Sequence, residues 1–344
     1  MYGLQHAGYG GVRAGPGPGD ATAAAVAAAT LAGMTQFAAR VLYFFASLIG
    51  RLPGAWQRRL GDAVATAWQR RDGREARVAR VNLRLAYPEL LPAEREQWQQ
   101  AIVRTTARQA VETLRLWTRP HAENLNLLRE QHGTELFDAA LAAGKGLIVA
   151  APHYGNWELL NQWLAARTPL AILYKPPESP VGEAFLNLVR ADTDAGRVTQ
   201  VRAEGAAVRQ LWKRLNAGGV VGILPDQQPK AGDGEFAPFF GVEALTMTLL
   251  GRLAERTGAP VLFCYCERID QHPDGPGFAL RVEAAPPGIA DPDPRRACAA
   301  LNQAVERIAR RDPAQYQWTY KRYTLRPSGD GRDNPYRAIE TDRH

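Results

Sequence analysis

Between Lys145 and Ala166 the chain reads KGLIVAAPHYGNWELLNQWLAA, and its two halves follow different periods. The stretch KGLIVA is a short β-branched run behind Gly144 and Gly146, which predicts a strand. NWELLNQWLAA carries apolar residues at helical spacing, so His153 falls at a strand-to-helix turn. Glu158 stands five residues on, which along a continuous helix would be about 7.5 Å up the axis and well round from His153. The two side chains meet only if the chain bends between them. Gly155 can take a positive φ there, and Asn156 suits the cap of the helix that Glu158 enters. Two readings of His153 stay open on these residues alone. It is either a turn histidine bonded to backbone, or an imidazole base whose tautomer a carboxylate fixes.

The same alternation continues outward. GLIVAAP (146–152), LAILYKP (170–176), RVTQV (197–201), VVGILPD (220–226) and VLFCYCER (261–268) read as strands, with helical patterns between them. Such alternation predicts an α/β fold with a mostly parallel sheet flanked by helices and active residues at the carboxyl ends of strands. His153, Lys175 and Asp226 all occupy such ends. Ahead of the sheet, residues 54–118 show apolar positions three and four apart with charged faces, punctuated by Pro88 and Pro92, which predicts a helical module.

Residues 1–30 are glycine- and proline-rich at first and poor in large apolar side chains, and are expected to be a disordered tail. From 31 to 52 the text turns apolar. Its best window, VLYFFASLIG (41–50), is shorter than the roughly 20 residues of a membrane span, and arginines flank it. The expectation is a membrane-associating helix that lies on or dips into a lipid surface, its arginines toward the head groups. Residues 53–327 then form the α/β domain with its helical N-terminal part, and 328–344 a flexible tail. The 344 residues carry a formal net charge of +7, mostly from arginine, which suits phosphates, acidic proteins or anionic lipid heads. The three cysteines, Cys264, Cys266 and Cys298, are an odd set that reads as reduced core thiols.

Several chemistries lack their parts. No Gly-x-Ser-x-Gly elbow occurs, and the glycine-rich NAGGVVGILPD (216–226) has neither the P-loop lysine nor the dinucleotide-binding order. The histidines share no ligand spacing, so no metal, no other cofactor and no nucleic-acid partner is expected.

Five ordered blocks resemble one family. PHYGNWELL (152–160) is similar to the His-x4-acid signature of the glycerolipid acyltransferase superfamily, in the Asn-Trp-Glu form of the bacterial late acyltransferases of lipid A biosynthesis, the lauroyl and myristoyl transferases. LYKPPESPVGEAFLNLVR (173–190) resembles the family's Tyr-Arg-Pro stretch with its downstream arginine, here Arg190, and VVGILPDQQP (220–229) its Pro-Asp-His/Gln block. FAPFFGVEALTMTLLGRLAERTGAPVLF (236–263) and DPAQYQWTYKRYTLRP (312–327) follow in the family's order, so the likeness runs from about 40 to 327. Lys175 departs from the family's usual arginine and Tyr320 from a common histidine.

The resemblance implies an acyltransferase at the cytoplasmic face of the inner membrane. An acyl carrier protein would donate a fatty acyl thioester to a hydroxyl of a phosphorylated glycolipid, with His153 as general base, Glu158 holding its ring, and no covalent intermediate. Backbone amides near Gly155 and Asn156 would receive the oxyanion, and Lys175 and Arg190 would bind phosphate. Asp226 would position substrate or cap its turn. Phe236, Phe239 and Phe240 would line an acyl groove or pack as a lid, whereas Trp318 and Tyr320 read as core. Other lipid acceptors, or a binding module without chemistry, are the competing expectations.

Overall fold

A computed structural model describes residues 18–174, 179–191, 197–202, 207–329 and 331–341. Four helices come first: α1 (Pro18–Gly50), α2 (Gly54–Arg70), α3 (Arg74–Ala86) and α4 (Pro92–Thr118). Prolines set their edges, since Pro53 precedes α2 and Pro92 opens α4, where a missing N–H costs nothing. Then follow α5 (His121–Leu125), β1 (Leu128–His132), α6 (Thr134–Ala142), β2 (Leu147–Ala150), α7 (Trp157–Arg167), β3 (Leu170–Tyr174), α8 (Pro180–Ala191) and β4 (Val198–Arg202). The chain continues through α9 (Ala207–Asn216), β5 (Val220–Ile223), β6 (Gly234–Phe239), β7 (Val242–Met247), α10 (Leu249–Thr257), β8 (Val261–Ile269), β9 (Gly277–Ala284), α11 (Pro294–Ala309) and α12 (Arg337–Thr341).

The main sheet has seven strands in the order β1-β9-β8-β2-β5-β3-β4, parallel except for the β8–β9 pair. All five strands expected from the sequence are present. The central pair β2 and β5 is buried at every position, which is why LIVA and VVGI read as continuous apolar runs without alternation. One core packs β-face residues such as Ile148, Val221 and Phe263 against α3, α10 and α11, and a second packs Val149 and Cys264 against α7 residues such as Leu160 and Trp163. The three thiols are buried, and burial pushes each pKa up, Cys298 to about 11.

The FAPFFG segment is a hairpin. β6 and β7 pair antiparallel, with Phe239 opposite Val242 and both turn residues, Phe240 and Gly241, at positive φ. Phe239 and Phe240 pack on Tyr87, Tyr316, Trp318 and Tyr323, so they belong to the core and line no acyl groove. Arg322 is buried under the same hairpin. It donates to the Leu245 carbonyl at 2.6 Å and to Thr246 Oγ1 at 2.8 Å, and lies over the Phe239 ring.

Both expected tails are partly ordered. The chain is helical from Pro18, so the disordered reading of 1–30 fails over 18–30, where the alanine-rich DATAAAVAAAT has the highest helix propensity available. Residues 1–17 lie outside the described residues. At the other end, Tyr336 is fully buried; its hydroxyl donates to Asn82 Oδ1 and accepts from the Tyr323 N–H at 3.3 Å. An aromatic that fills a core site holds 331–341 in place, against the expectation of a flexible tail.

Helix α1 has two unlike faces. Ala39, Ala46 and Gly50 are buried on the side that packs against α4 and α8, whereas Leu31, Phe37, Phe44 and Phe45 are more than half exposed. Ala29–Gly50 is 22 residues and, by length and composition, apolar enough to cross a membrane, about twice the run that the ten-residue window suggested. Because full burial of a phenylalanine is worth about 1.5–3 kcal/mol, replacing Phe37, Phe44 and Phe45 together with serine should move the protein from the membrane pellet to the supernatant. The three rings support no interior packing, so thermal melting should hardly change. Unaltered pelleting would place the attachment elsewhere.

Candidate functional site

The register of two central strands builds the site. β2 and β5 pair in parallel with Leu147 opposite Val220 and Ala150 opposite Ile223. Extending both strands by three residues sets His153 beside Asp226. The carboxylate holds the histidine at two points: Oδ1 lies 2.7 Å from the ring Nδ1, and Oδ2 accepts the His153 backbone N–H at 2.8 Å. Both side chains are buried, Asp226 to 3% exposure and His153 to 10%. Burial alone would raise the Asp226 pKa, but the facing His153 charge and the two hydrogen bonds outweigh it and hold the carboxyl below its ordinary value.

The turn after His153 is anchored to its neighbours. Gly155 has φ +64°, and a Cβ there would stand 1.9 Å from the Cys266 carbonyl oxygen, so no other residue fits. The Gly155 N–H donates to the Gln315 carbonyl at 3.0 Å, and the Asn156 N–H to the Cys266 carbonyl at 2.8 Å. The Gln317 N–H donates to the His153 carbonyl at 3.0 Å. Asn156 caps α7 as its residue type predicts, its Oδ1 accepting the Leu159 N–H at 3.1 Å. The amides of Gly155 and Asn156 are therefore committed to carbonyls. They cannot serve as oxyanion donors, and both residues are buried supports of the turn.

Tyr154 fastens the turn from behind. Its hydroxyl donates to Glu267 Oε1 at 2.7 Å, and Arg281 and Arg311 bind the same carboxylate. Burial would push Glu267 up, yet the hydrogen bonds from Arg311, Tyr154 and Arg281 prevail and bring it to about 2.

Glu158 is buried in the first turn of α7 and lines the same cavity as His153. The Nδ1 position that the sequence assigned to it is taken by Asp226. A carboxylate five residues along a helix must reach back round the turn, whereas a neighbouring parallel strand delivers one directly alongside. Lys175 lies outside the described residues; Arg190 is in α8, with its side chain outside them.

Gln227 enters the sequence reading only as part of the Pro-Asp-His/Gln block, with no role of its own. Its Nε2 stands 3.2 Å from His153 Nε2 and 3.2 Å from Gln317 Oε1. The ionised Asp226 carboxylate can only accept, so His153 carries its proton on Nδ1 and presents the Nε2 lone pair toward Gln227 and the cavity. With its nitrogen on this side, the Gln227 amide gives one N–H to Gln317 Oε1 and the other to His153 Nε2. Next to Gln227, the Gln228 backbone N–H donates to the Tyr320 hydroxyl at 3.1 Å, and Gln228 Oε1 accepts the Leu325 N–H at 2.9 Å. The available signals were the Pro-Asp-His/Gln block and the second glutamine directly after it.

His153 opens into a cavity of about 1570 Å³, beyond the roughly 300–1,000 Å³ that suits a drug-sized ligand. Its walls are largely apolar, with Trp117, Trp157, Leu186 and Leu253 among them. Arg209, Lys213, Lys230, Arg252 and Arg256 stand around it, all exposed. None of the five has a carboxylate within ion-pair distance among the described residues.

Comparison with known proteins gives the family. Residues 30–324 match the profile of the bacterial lipid A biosynthesis acyltransferase family. The chain is 27% identical over 285 residues to the lipid A biosynthesis lauroyltransferase of Escherichia coli (strain K12), covering 82% of this chain and 90% of that protein. It is 26% identical over 276 residues to the lipid A biosynthesis palmitoleoyltransferase of the same organism, 79% of this chain and 85% of that one. A phosphatidylinositol mannoside acyltransferase of Mycobacterium tuberculosis (strain CDC 1551 / Oshkosh) is 30% identical over 160 residues, 45% of this chain and 49% of that protein. With a family profile that spans the apolar helix α1, the parallel sheet and the His153–Asp226 pair, the chain belongs to the bacterial lipid A biosynthesis acyltransferases.

Proposed function

We propose that the protein transfers a fatty acyl chain from an acyl carrier protein thioester to a hydroxyl of a lipid A precursor at the cytoplasmic face of the inner membrane. His153 is the general base. The observation that carries this is the placement of the His153 Nε2 lone pair on an apolar cavity with a cationic rim, while Asp226 holds Nδ1. The acceptor oxygen attacks the thioester carbonyl as its proton passes to Nε2, and the imidazolium faces the Asp226 carboxylate. Collapse of the tetrahedral intermediate breaks the C–S bond, and the proton goes from Nε2 to the departing sulfur. Oxygen has then replaced sulfur on the acyl carbon, and the enzyme is regenerated without a covalent step.

The five rim cations favour a donor carried on an acidic protein. A basic residue near an anionic surface contributes about 1 kcal/mol, screened beyond roughly 10 Å at 0.1 M salt. Replacing Arg252 and Arg256 with alanine should therefore raise KM for dodecanoyl-acyl carrier protein by roughly 30-fold at low salt, and by less as salt is added. Initial rates with a lipid A precursor as acceptor measure this. An equal rise with dodecanoyl-coenzyme A would assign the rim to the donor's phosphates. A rise confined to the acceptor's KM would assign it to the glycolipid phosphate.

The partial relative named for phosphatidylinositol mannoside supports a second reading, a different lipid acceptor. Acceptor competition between a lipid A precursor and a phosphatidylinositol mannoside separates the two. Lys175 and Arg190 remain in the proposal as phosphate contacts, on the strength of the family resemblance.

A further inference from the structure

Acyl transfer through a tetrahedral intermediate needs a donor for the oxygen that gains charge. Three backbone amides around His153 are already occupied: Gly155 by the Gln315 carbonyl, Asn156 by the Cys266 carbonyl, Gln317 by the His153 carbonyl. The amide of Gln228, in the facing loop, is held by the Tyr320 hydroxyl. One neutral donor in this neighbourhood points at the reacting nitrogen itself. It is the side-chain amide of Gln227, 3.2 Å from His153 Nε2.

The geometry points to Gln227 as a catalytic residue that receives the oxyanion through its side-chain N–H, an inference that rests on His153 acting as the base. In the resting enzyme that N–H caps the Nε2 lone pair. An acceptor hydroxyl that donates to Nε2 must take its place there, and so frees the N–H at the spot where the hydroxyl oxygen meets the thioester. The carbonyl oxygen, bonded to the same carbon, is one O–C–O span from the attacking oxygen. As the new C–O bond forms and the carbonyl electron pair moves onto oxygen, the N–H exchanges a neutral nitrogen acceptor for an anionic oxygen, a stronger hydrogen bond. No proton leaves Gln227, and when the C–S bond breaks the amide returns to the histidine.

The amide is held ready for this exchange. Gln317 Oε1 takes its other hydrogen at 3.2 Å, and the Gln317 backbone N–H is tied to the His153 carbonyl at 3.0 Å, so donor and base share one frame. The adjoining Gln228 is fixed at both its backbone and its side chain, which leaves Gln227 little freedom to drift.

The test is a pH–rate profile for Gln227→Met, Gln227→His and His153→Ala, with dodecanoyl-acyl carrier protein and a lipid A precursor, and thermal melting as the folding control. Methionine keeps the volume and loses the donor; histidine has a ring N–H. Loss of one oxyanion donor costs about 10²–10³ in kcat, so Gln227→Met should lower the plateau by that factor with KM for both substrates little changed. Gln227→His should recover most of the loss. A Gln227→Met plateau equal to wild type, with only the acid limb displaced, would mean that the amide merely tunes the base, and would overturn the proposal. A loss that Gln227→His does not recover would overturn it too, by assigning the side chain to packing. His153→Ala separates the levels: full activity there would remove the base, whatever Gln227 does.

Discussion

Replacing His153 with alanine should lower turnover by about 10²–10⁴ while the protein stays folded, since a positioned general base contributes about that much. The ring touches the carboxylate of Asp226 and the amide of Gln227 but lies at the edge of an open cavity, so water can fill its place. Removing it nevertheless takes the imidazole partner from Asp226, whose second oxygen still accepts the backbone N–H of residue 153. The melting temperature should fall modestly, and the drop in kcat should far exceed what any stability loss explains. Single-turnover acyl transfer, read beside melting, checks both. Retained turnover would refute the mechanism at its base.

Asp226→Asn should be comparably damaging, by about 10³–10⁴ in kcat, because an amide can no longer hold the proton on Nδ1 and stabilise the imidazolium. The comparison with Glu158→Gln decides which carboxylate orients the ring. If Asp226 does, as its 2.7 Å contact with Nδ1 indicates, Asp226→Asn costs far more than Glu158→Gln. The opposite ranking would return the orienting role to Glu158. The acid side of the stability curve gives an independent reading. The folded-state pKa of Asp226 is lowered from 3.8, so its contribution is present above that value and is lost as pH falls through the folded value. Wild type should therefore lose stability more steeply below about pH 3.8 than Asp226→Asn does. Glu267, brought from 4.5 to about 2, steepens both curves equally.

Much of the fold was legible because it is written locally. LIVA and VVGI announce buried strands by composition, Asn156 announces a helix start by its capping oxygen, and Gly155 a turn that needs positive φ. Some elements were hidden by local ambiguity. GFALRVEA at β9 carries two charges and pairs only because β8 and β1 flank it, and FAPFFG reads as a loop until Val242 closes on Phe239. Arg322 and Tyr336 are a basic residue and a tail aromatic in the text. They are buried because the hairpin and α3 offer carbonyls and an Asn82 side chain that no local pattern reveals.

The candidate site divides in the same way. The sequence by itself determined that His153 ends a strand, that a cap and a glycine follow it, and that Asp226 ends another strand. Only the tertiary structure decided that these two strands are neighbours in equal register, which sets Asp226 and not Glu158 against the imidazole. Likewise only packing decided that the amides of Gly155 and Asn156 are consumed by Gln315 and Cys266 while the Gln227 amide faces the base. Capping and turn preferences arise within a few residues of chain. Strand partnership and hydrogen-bond commitment join residues tens to more than a hundred positions apart, and are fixed only when the whole sheet closes.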